Sequence, residues 1–195
     1  MIRGFYLGIV MSNVFFISDP HLGHENILKF SPETRKFSSI KEHDDYICDE
    51  WCSKVTKRDL VWVGGDLGTK EYAIKKIASL PGTKKLIRGN HDQMPLQMYL
   101  DVFSDIQSMV KYRGYWLTHC PMHPNELWGK RNIHGHVHGN TVTLPDGTVD
   151  DRYINLCMEN RAQFDGNTII PLDLIEQRWP ARIEVTSGGN LNGSR

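Results

Sequence analysis

Short apolar runs alternate with segments of helical periodicity through the first half of the chain. Three of these runs end in polar residues and predict buried strands at 14–18, 60–63 and 84–87. Ser39 and Glu42 form the Ser-x-x-Glu pattern of a capping box and predict a helix to about residue 55. A second helix is predicted over 71–79, with Thr69 as its cap.

The second half of the chain is dominated by strand and turn signals. We predict a hairpin of 106–111 and 115–118 around Arg113-Gly114, and a second hairpin at the turn 144–148. Further strands are predicted at 132–134, 153–158 and 168–170, and short helices at 24–30, 95–102 and 173–177. Alternating strands and helices followed by strands predict an α/β sandwich, with two packed sheets and helices outside.

The length of 195 residues fits one domain with a substantial core. We expect an N-terminal extension over 1–12, a single domain over 13–180 and a disordered tail over 181–195. The tail is rich in Gly, Asn and Ser, which is typical of disorder. Met11 lies just before the first predicted strand and is typical of a natural start. The sequence does not predict the oligomeric state.

Charge and hydropathy argue against several partners. The 23 basic and 23 acidic residues balance, and no like-charge run predicts binding to long nucleic acid or to a membrane. No apolar run approaches the roughly 18 residues of a spanning helix, and residues 1–10 do not resemble a signal peptide. The cysteines lack zinc-finger spacing, and we predict buried, reduced thiols in a cytoplasmic protein. They are Cys48, Cys52, Cys120 and Cys157.

Five polar clusters follow or adjoin the apolar runs, at positions where α/β proteins place their functional residues. They are Asp19-Pro20-His21, Gly64-Gly65-Asp66, Arg88-Gly89-Asn90-His91-Asp92, Thr118-His119 and Gly135-His136-Val137-His138. Taken singly, most have a structural explanation as turn residues or as isolated histidines at strand ends. Together they predict one site, because a hydrophobic core does not need this mixture of groups.

The ligand types in these clusters predict two metal ions. Asp19 and His21 are two apart and point the same way in an extended segment, so both can hold one cation. The Asp66 carboxylate has two oxygens for two cations, and Asn90 offers a neutral oxygen. The remaining ligands are His119, His136 and His138. Mixed nitrogen and oxygen ligands suit Mn, Fe, Zn, Co or Ni, and two cations about 3.5–4 Å apart promote in-line attack at phosphorus.

The cluster after the third predicted strand adds acid–base and anion-binding groups. His91 is placed to exchange a proton, and we predict that Asp92 orients its ring. Arg88 offers a bidentate fork to a phosphate. His24 is a further candidate contact to substrate, although a surface histidine at a helix start explains it equally well.

The clusters resemble, in order, the five motifs of the calcineurin-like metallophosphoesterases. The matching residues are Asp19-x-His21, Gly65-Asp66, Gly89-Asn90-His91-Asp92, His119 and Gly135-His136-x-His138. The resemblance covers residues 14–176, and the short chain is similar to the small bacterial and phage members that lack a cap domain. It implies a four-layer α/β/β/α sandwich of two mixed sheets flanked by helices.

The resemblance also implies a ligand set and a mechanism. One metal would be held by Asp19, His21, Asp66 and His138, and the other by Asp66, Asn90, His119 and His136. A hydroxide that bridges two divalent cations, with manganese favoured, would attack phosphorus. His91 would protonate the leaving oxygen with Asp92 behind it, and Arg88 falls where several members bind phosphate.

We therefore predict a dinuclear metal-dependent phosphodiesterase that acts on small or nucleotide-type substrates. A phosphomonoesterase, either a nucleotide or a protein phosphatase, is the main alternative with the same site. A silent binding scaffold of the same fold is disfavoured, because His21 and His91 are both present. An amide or β-lactam hydrolase with an H-x-H-x-D-H core is also disfavoured, because Gly139-Asn140 follows His138.

Overall fold

The computed structural model describes residues 12–181, so the predicted extension and tail lie almost wholly outside the described residues, and the domain limits stay a prediction. The strands are β1 (Val14–Ile17), β2 (Leu60–Val63), β3 (Thr83–Ile87), β4 (Asp105–Gln107), β5 (Met109–Tyr112), β6 (Tyr115–Thr118), β7 (Asn132–His134), β8 (Tyr153–Asn155) and β9 (Ile170–Pro171). The α-helices are α1 (Ile27–Phe30), α2 (Ile40–Lys54), α3 (Glu71–Ser79), α4 (Leu96–Leu100) and α5 (Leu172–Arg178). Two 3-10 helices span Pro124–Glu126 and Met158–Phe164.

Two mixed sheets form the centre of the fold. The first has the order β4-β3-β2-β1-β9, in which β1 to β4 are parallel and β9 is antiparallel to β1. The second has the order β5-β6-β7-β8, in which β6 to β8 are parallel and β5 is antiparallel to β6. The predicted α/β class, with two mixed sheets and flanking helices, is confirmed.

Strand β1 shows how one sheet packs on both faces. Because side chains alternate along a strand, Phe15 and Ile17 lie in one core with Trp51 of α2 and Ile77 of α3, whereas Phe16 lies in a second core. The second core joins the two sheets and includes Trp62, Ile87, Leu117, Ile133 and Ile154. A strand that is buried on both faces needs apolar residues at successive positions, which is why β1 reads as a continuous apolar run.

The structure corrects the strand predicted at 106–111. This segment is divided at Ser108, because β4 pairs with β3 in the first sheet and β5 pairs with β6 in the second. Ile106 and Val110 are therefore apolar positions of different sheets. Both pieces share the period of a strand, so the sequence does not reveal the change of sheet. The hairpin around Arg113-Gly114 is confirmed.

Other late strands are shorter than predicted. The strand expected at 153–158 ends at Asn155 and is followed by a 3-10 helix. The strand expected at 168–170 is reduced to Ile170–Pro171, where the proline lacks the N–H that would extend the ladder. The second predicted hairpin forms only an isolated bridge.

Helices of the described chain, residues 12–181, are all too short or too polar to cross a membrane. The cytoplasmic location stays a prediction. The prediction of four buried thiols is wrong for Cys52 and Cys120, which are exposed, and Cys48 is only half-buried. Cys157 is buried as predicted, and all four thiols are free.

The ends of α2 and α3 test the predicted caps. The Ser39 hydroxyl accepts a hydrogen bond from the Glu42 amide at 3.2 Å, as predicted, but Thr69 does not cap α3, whose first flanking residue is Lys70.

We expect Ser39→Ala to lower the free energy of unfolding by about 1 kcal/mol, because the Glu42 amide loses its acceptor. Thr69→Ala is the matched control and should stay within about 0.5 kcal/mol of the wild type. Urea unfolding followed by circular dichroism measures both, and equal effects would contradict the assignment of the cap.

Candidate metal centre

The carboxyl ends of β1, β2, β3, β6 and β7 bring the predicted ligands to one edge of the sandwich. Three groups of donor atoms each lie within 4.8 Å of one another: Asp19, His21 and His138; Asp19, Asp66 and His119; and His119, Cys120 and His136. Asn90 joins the last group, because its Oδ1 lies 2.9 Å from a ring nitrogen of His119 and 2.9 Å from one of His136. The structure thus places all seven predicted ligands together.

The backbone at this edge adopts an unusual conformation. Eight non-glycine residues of the described chain have positive φ, and five of them are predicted ligands: Asp19, His21, Asp66, His136 and His138. The left-handed region costs an ordinary residue about 1–2 kcal/mol, and such strain concentrates at functional sites. The predicted extended segment at Asp19 and His21 is therefore wrong, although their donor atoms still converge.

The first set of donors consists of Asp19, His21, Asp66 and His138, and the second set of Asp66, Asn90, His119 and His136. In the first set, His21 has no hydrogen-bond partner among the described residues. Nε2 of His21 lies 3.9 Å from Oδ1 of Asp19 and 3.8 Å from Oδ2 of Asp66, and its ring stacks on His138 with centroids 5.2 Å apart. Both ring nitrogens of His21 are buried without a hydrogen-bond partner in residues 12–181. An unpaired buried polar group is costly, and a cation bound at one of the two ring nitrogens would reduce that cost. Burial, reinforced by the charge of Arg35, lowers the pKa of His21 to about 3, so the ring is neutral and able to coordinate.

The second set of donors surrounds the other oxygen of Asp66. Nε2 of His119 lies 3.4 Å from Oδ1 of Asp66, while Nδ1 lies 2.8 Å from the Gly64 carbonyl oxygen. A carbonyl only accepts, so Nδ1 carries the proton and Nε2 faces the site. Burial opposes both shifts, yet the ion pair raises the pKa of His119 to about 9 and lowers that of Asp66 to about 2. With this raised pKa, Nε2 of His119 also carries a proton at neutral pH, and a cation bound at Nε2 would take the place of that proton.

Two glycines let the backbone approach the carboxylates. A Cβ at Gly89 would lie 2.2 Å from Oδ1 of Asp66, and a Cβ at Gly135 would lie 2.0 Å from Oδ2 of Asp19. No side chain fits at either distance. Both glycines belong to predicted motifs, and their role is to make room for a carboxylate.

The structure corrects the role predicted for Asp92. Its buried carboxylate accepts hydrogen bonds from three backbone amides, those of Asp66 at 3.0 Å, Leu67 at 2.9 Å and Gly89 at 2.8 Å. Among the described residues it forms no hydrogen bond with the His91 ring. Asp92 thus holds the turn that carries Asp66, rather than orienting His91. Burial raises the pKa of Asp92 to about 6 despite these three donors.

The other predicted site residues surround the open side of the metal centre. The rings of His91 and His24 each have a centroid 5.7 Å from that of His21. His91 is exposed, and its amide donates to Oδ1 of Asp66 at 2.8 Å. Arg88 is also exposed; its Nε donates to the Asp92 carbonyl at 2.9 Å, and its guanidinium lies over the Tyr99 ring.

Four residues that support the ligands were not predicted. The Ser18 hydroxyl and the Cys157 thiol both donate to Oδ2 of Asp19, at 2.6 and 3.3 Å. Arg35 and Glu159 form a buried ion pair behind the first set of donors. Ser18 directly precedes a predicted ligand, which is a weak signal. Nothing in the sequence near Arg35, Cys157 or Glu159 indicates the contact, because the partners are distant along the chain.

Two mixed sheets with clustered oxygen and nitrogen donors at the carboxyl ends of their strands define an α/β metal-binding protein. The chain belongs to the calcineurin-like phosphoesterase family, which its residues 12–184 match. This confirms the resemblance seen in the motifs. Membership implies metal-dependent phosphoester hydrolysis.

Relatives and one solved structure agree with this assignment. The chain is 31% identical over 166 residues to the Gene 66 protein of Mycobacterium phage L5, covering 66% of this chain and 78% of that protein. It is 32% identical over 137 residues to an uncharacterized protein of Methanocaldococcus jannaschii, covering 67% and 72%. A protein of unknown function from Aquifex aeolicus has a similar crystal structure, with a TM-score of 0.67 and 25% identity. The match covers 86% of this chain and 100% of that one.

Proposed function

We propose that the protein is a dinuclear metal-dependent phosphodiesterase that acts on small or nucleotide-type phosphodiesters. The observation that carries this proposal is the position of Asp66, which faces His21 with one carboxylate oxygen and His119 with the other. A carboxylate between two donor sets is suited to bridge two cations. Manganese is the first metal to test, because it suits mixed carboxylate, amide and imidazole ligands.

The charges of the ligand set fit an anionic substrate. When bound, two divalent cations supply Lewis acidity and activate a water molecule. Asp19 and Asp66 contribute two negative charges, while Asn90 and the coordinating histidines contribute none. Four positive charges less two leave a net charge of plus two at the centre, or plus one with a hydroxide as nucleophile, and either charge favours an anionic phosphoester.

His91 and Arg88 are proposed to act on the substrate from the open side. The amide of His91 is fixed to Asp66, which places the exposed ring beside the first donor set. We assign His91 as the general acid that protonates the leaving oxygen. Arg88 is proposed to bind a phosphate oxygen with its exposed guanidinium. Its Nε donates to the Asp92 carbonyl, which fixes the direction of the side chain.

A groove beside the metal centre supports a diester rather than a monoester. Its volume is about 430 Å³, and its lining includes Phe30, Asn140 and the proposed ligand His138. Phe30 is 72% exposed, and its ring centroid lies 6.3 Å from that of His24. A diester carries a second substituent that a monoester lacks, and this groove offers it aromatic and amide contacts.

We expect Phe30→Ala to raise KM for a diester with aromatic substituents about 2–12-fold, with kcat little changed. An aromatic contact contributes about 0.5–1.5 kcal/mol. Trp128→Ala is the matched control, because Trp128 is similarly exposed, at 74%, but does not line the groove. Steady-state kinetics on bis(p-nitrophenyl) phosphate measure both variants. An equal rise in KM for the monoester p-nitrophenyl phosphate would contradict a contact with the second substituent.

The proposed function is tested by removing all metal with a chelator and adding single divalent cations back. We expect manganese to restore hydrolysis, with a higher kcat/KM for diesters than for monoesters. Cyclic and linear dinucleotides then narrow the substrate. A preference for monoesters would favour the phosphatase alternative. Metal binding without turnover of any ester would favour a binding scaffold and contradict the proposal.

A further inference from the structure

A buried arginine lies behind the first donor set. The Arg35 side chain is fully buried, and all five of its N–H groups have an acceptor. The acceptors are the Asp19 carbonyl at 2.8 Å, the Pro20 carbonyl at 3.2 Å, Nε2 of His43 at 3.0 Å, and Glu159 Oε1 and Oε2 at 2.8 and 3.3 Å. Arg35 therefore fixes the backbone that carries Asp19 and His21.

Glu159 connects this arginine to a third ligand of the same set. Its side chain is only 4% exposed, and its Oε1 lies 3.2 Å from Nδ1 of His138. A carboxylate only accepts when ionised, so Nδ1 carries the proton and Nε2 of His138 is left for a metal. The pair of Arg35 and Glu159 thus contacts the loop after β1 and the loop after β7 at once.

Among residues 12–181, the other three proposed histidine ligands have no carboxylate behind them. His119 uses the neutral Gly64 carbonyl, Nδ1 of His136 lies 2.9 Å from the neutral Oδ1 of Asn90, and His21 has no hydrogen-bond partner. A carboxylate behind a coordinating imidazole makes it a better donor and fixes its orientation. The two donor sets are therefore supported unequally.

We propose that Glu159, held by Arg35, is a positioning residue that gives the set of Asp19, His21 and His138 the higher metal affinity. This inference rests on the proposed function, since it assumes that the set binds a metal. The second set, which includes the exposed Asn90, then binds its metal more weakly and exchanges it faster. Partial metal loading would fill the first set before the second.

Two substitutions of Glu159 test this proposal in the full-length protein. Glu159→Gln removes the charge, and we expect the affinity of the first set for manganese to fall about 10–100-fold. Because this variant leaves Arg35 buried without a counter-charge, Glu159→Asp provides a second test. It keeps the charge but shortens the side chain by one methylene group, so one carboxylate reaches Arg35 and His138 less well. Circular dichroism of the metal-free proteins establishes that each variant is folded.

Isothermal titration calorimetry with manganese measures the affinity. Two background variants, each with only one complete donor set, show which set a Glu159 substitution affects. Asn90→Ala leaves only the first set complete, and there the Glu159 substitutions should weaken binding. His138→Ala leaves only the second set complete, and there they should have no effect. Glu33→Gln is the matched control, because Glu33 lines the same groove but is exposed.

The outcomes separate this inference from the proposed function. Weaker binding confined to the first set supports the role of Glu159. Unchanged affinity in folded Glu159→Asp and Glu159→Gln, or equal weakening of both sets, overturns it while the dinuclear site stands. A wild-type protein that binds no divalent cation overturns the proposed function, and this inference with it.

Discussion

Asp66→Asn is expected to abolish metal-dependent hydrolysis, with a fall in kcat/KM of about 10³-fold or more. Asn keeps the shape of the side chain and an oxygen that can accept the hydrogen bond from the His91 amide. In the wild type this amide donates to Oδ1 of Asp66 at 2.8 Å. It removes the negative charge that faces both donor sets. Metal catalysis is worth several kcal/mol, and each 1.36 kcal/mol corresponds to a factor of ten. Hydrolysis of a diester at saturating manganese, together with the metal content per chain, measures the loss.

Asp59→Asn is the matched control for this prediction. Asp59 and Asp66 are equally buried, at 2% and 1% exposed, but lie before and after the same strand, β2. Asp59 accepts hydrogen bonds from the Asn13 amide and from the amide and hydroxyl of Thr56. Its replacement should lower stability by about 1–3 kcal/mol and leave the activity of folded protein unchanged. If Asp66→Asn keeps its metal and its activity, the bridging role is wrong.

The proposed ligands were visible in the sequence because each one lies within a few residues of a buried strand. β1 and β2 read as short apolar runs, and β3 ends in the buried apolar pair Leu86-Ile87, so the ends of all three strands were predictable. Asp19, Asp66 and Asn90 lie two or three residues beyond those ends. Parallel strands then bring these positions to a common edge without any further information. Local pattern and topology were sufficient for this part of the site.

The supporting contacts were not predictable, because they join distant segments. Arg35 and Glu159 are 124 positions apart, and neither belongs to a motif or an apolar period. The role of Asp92 was misjudged for the opposite reason. Its neighbour His91 suggested a side-chain partner, whereas burial within the turn directs its carboxylate to three backbone amides. Sequence adjacency does not show which way a side chain points.

The left-handed backbone at the ligands links their burial to their function. Asp19, His21, Asp66, His136 and His138 occupy a conformation that side chains disfavour, and the surrounding hydrogen bonds hold them there. Oδ2 of Asp19, for example, accepts from Ser18, Cys157 and the His136 amide. A site prepared in this way needs little rearrangement to bind cations, which is an advantage for affinity and for catalysis.

The second large effect is expected for His91→Asn, and it should depend on the leaving group. General acid catalysis contributes about 10²–10⁴-fold, so we expect a loss of this size for diesters that release an alkyl or nucleoside alcohol. A p-nitrophenolate leaves without protonation, and bis(p-nitrophenyl) phosphate should be hydrolysed nearly as fast by the variant as by the wild type. Steady-state kinetics on both substrates, at saturating manganese, measure this difference.

His24→Asn is the decisive comparison, because the His24 and His91 rings have the same centroid distance of 5.7 Å from His21. Burial, with added repulsion from His91 and Arg35, lowers the pKa of His24. Its ring is therefore mostly unprotonated at neutral pH and is poorly suited to act as a general acid. The replacement of His24 should therefore change kcat/KM by the same factor for both substrates. If the dependence on the leaving group appears in His24→Asn instead, the two histidines exchange roles, and His24 is the acid of this site.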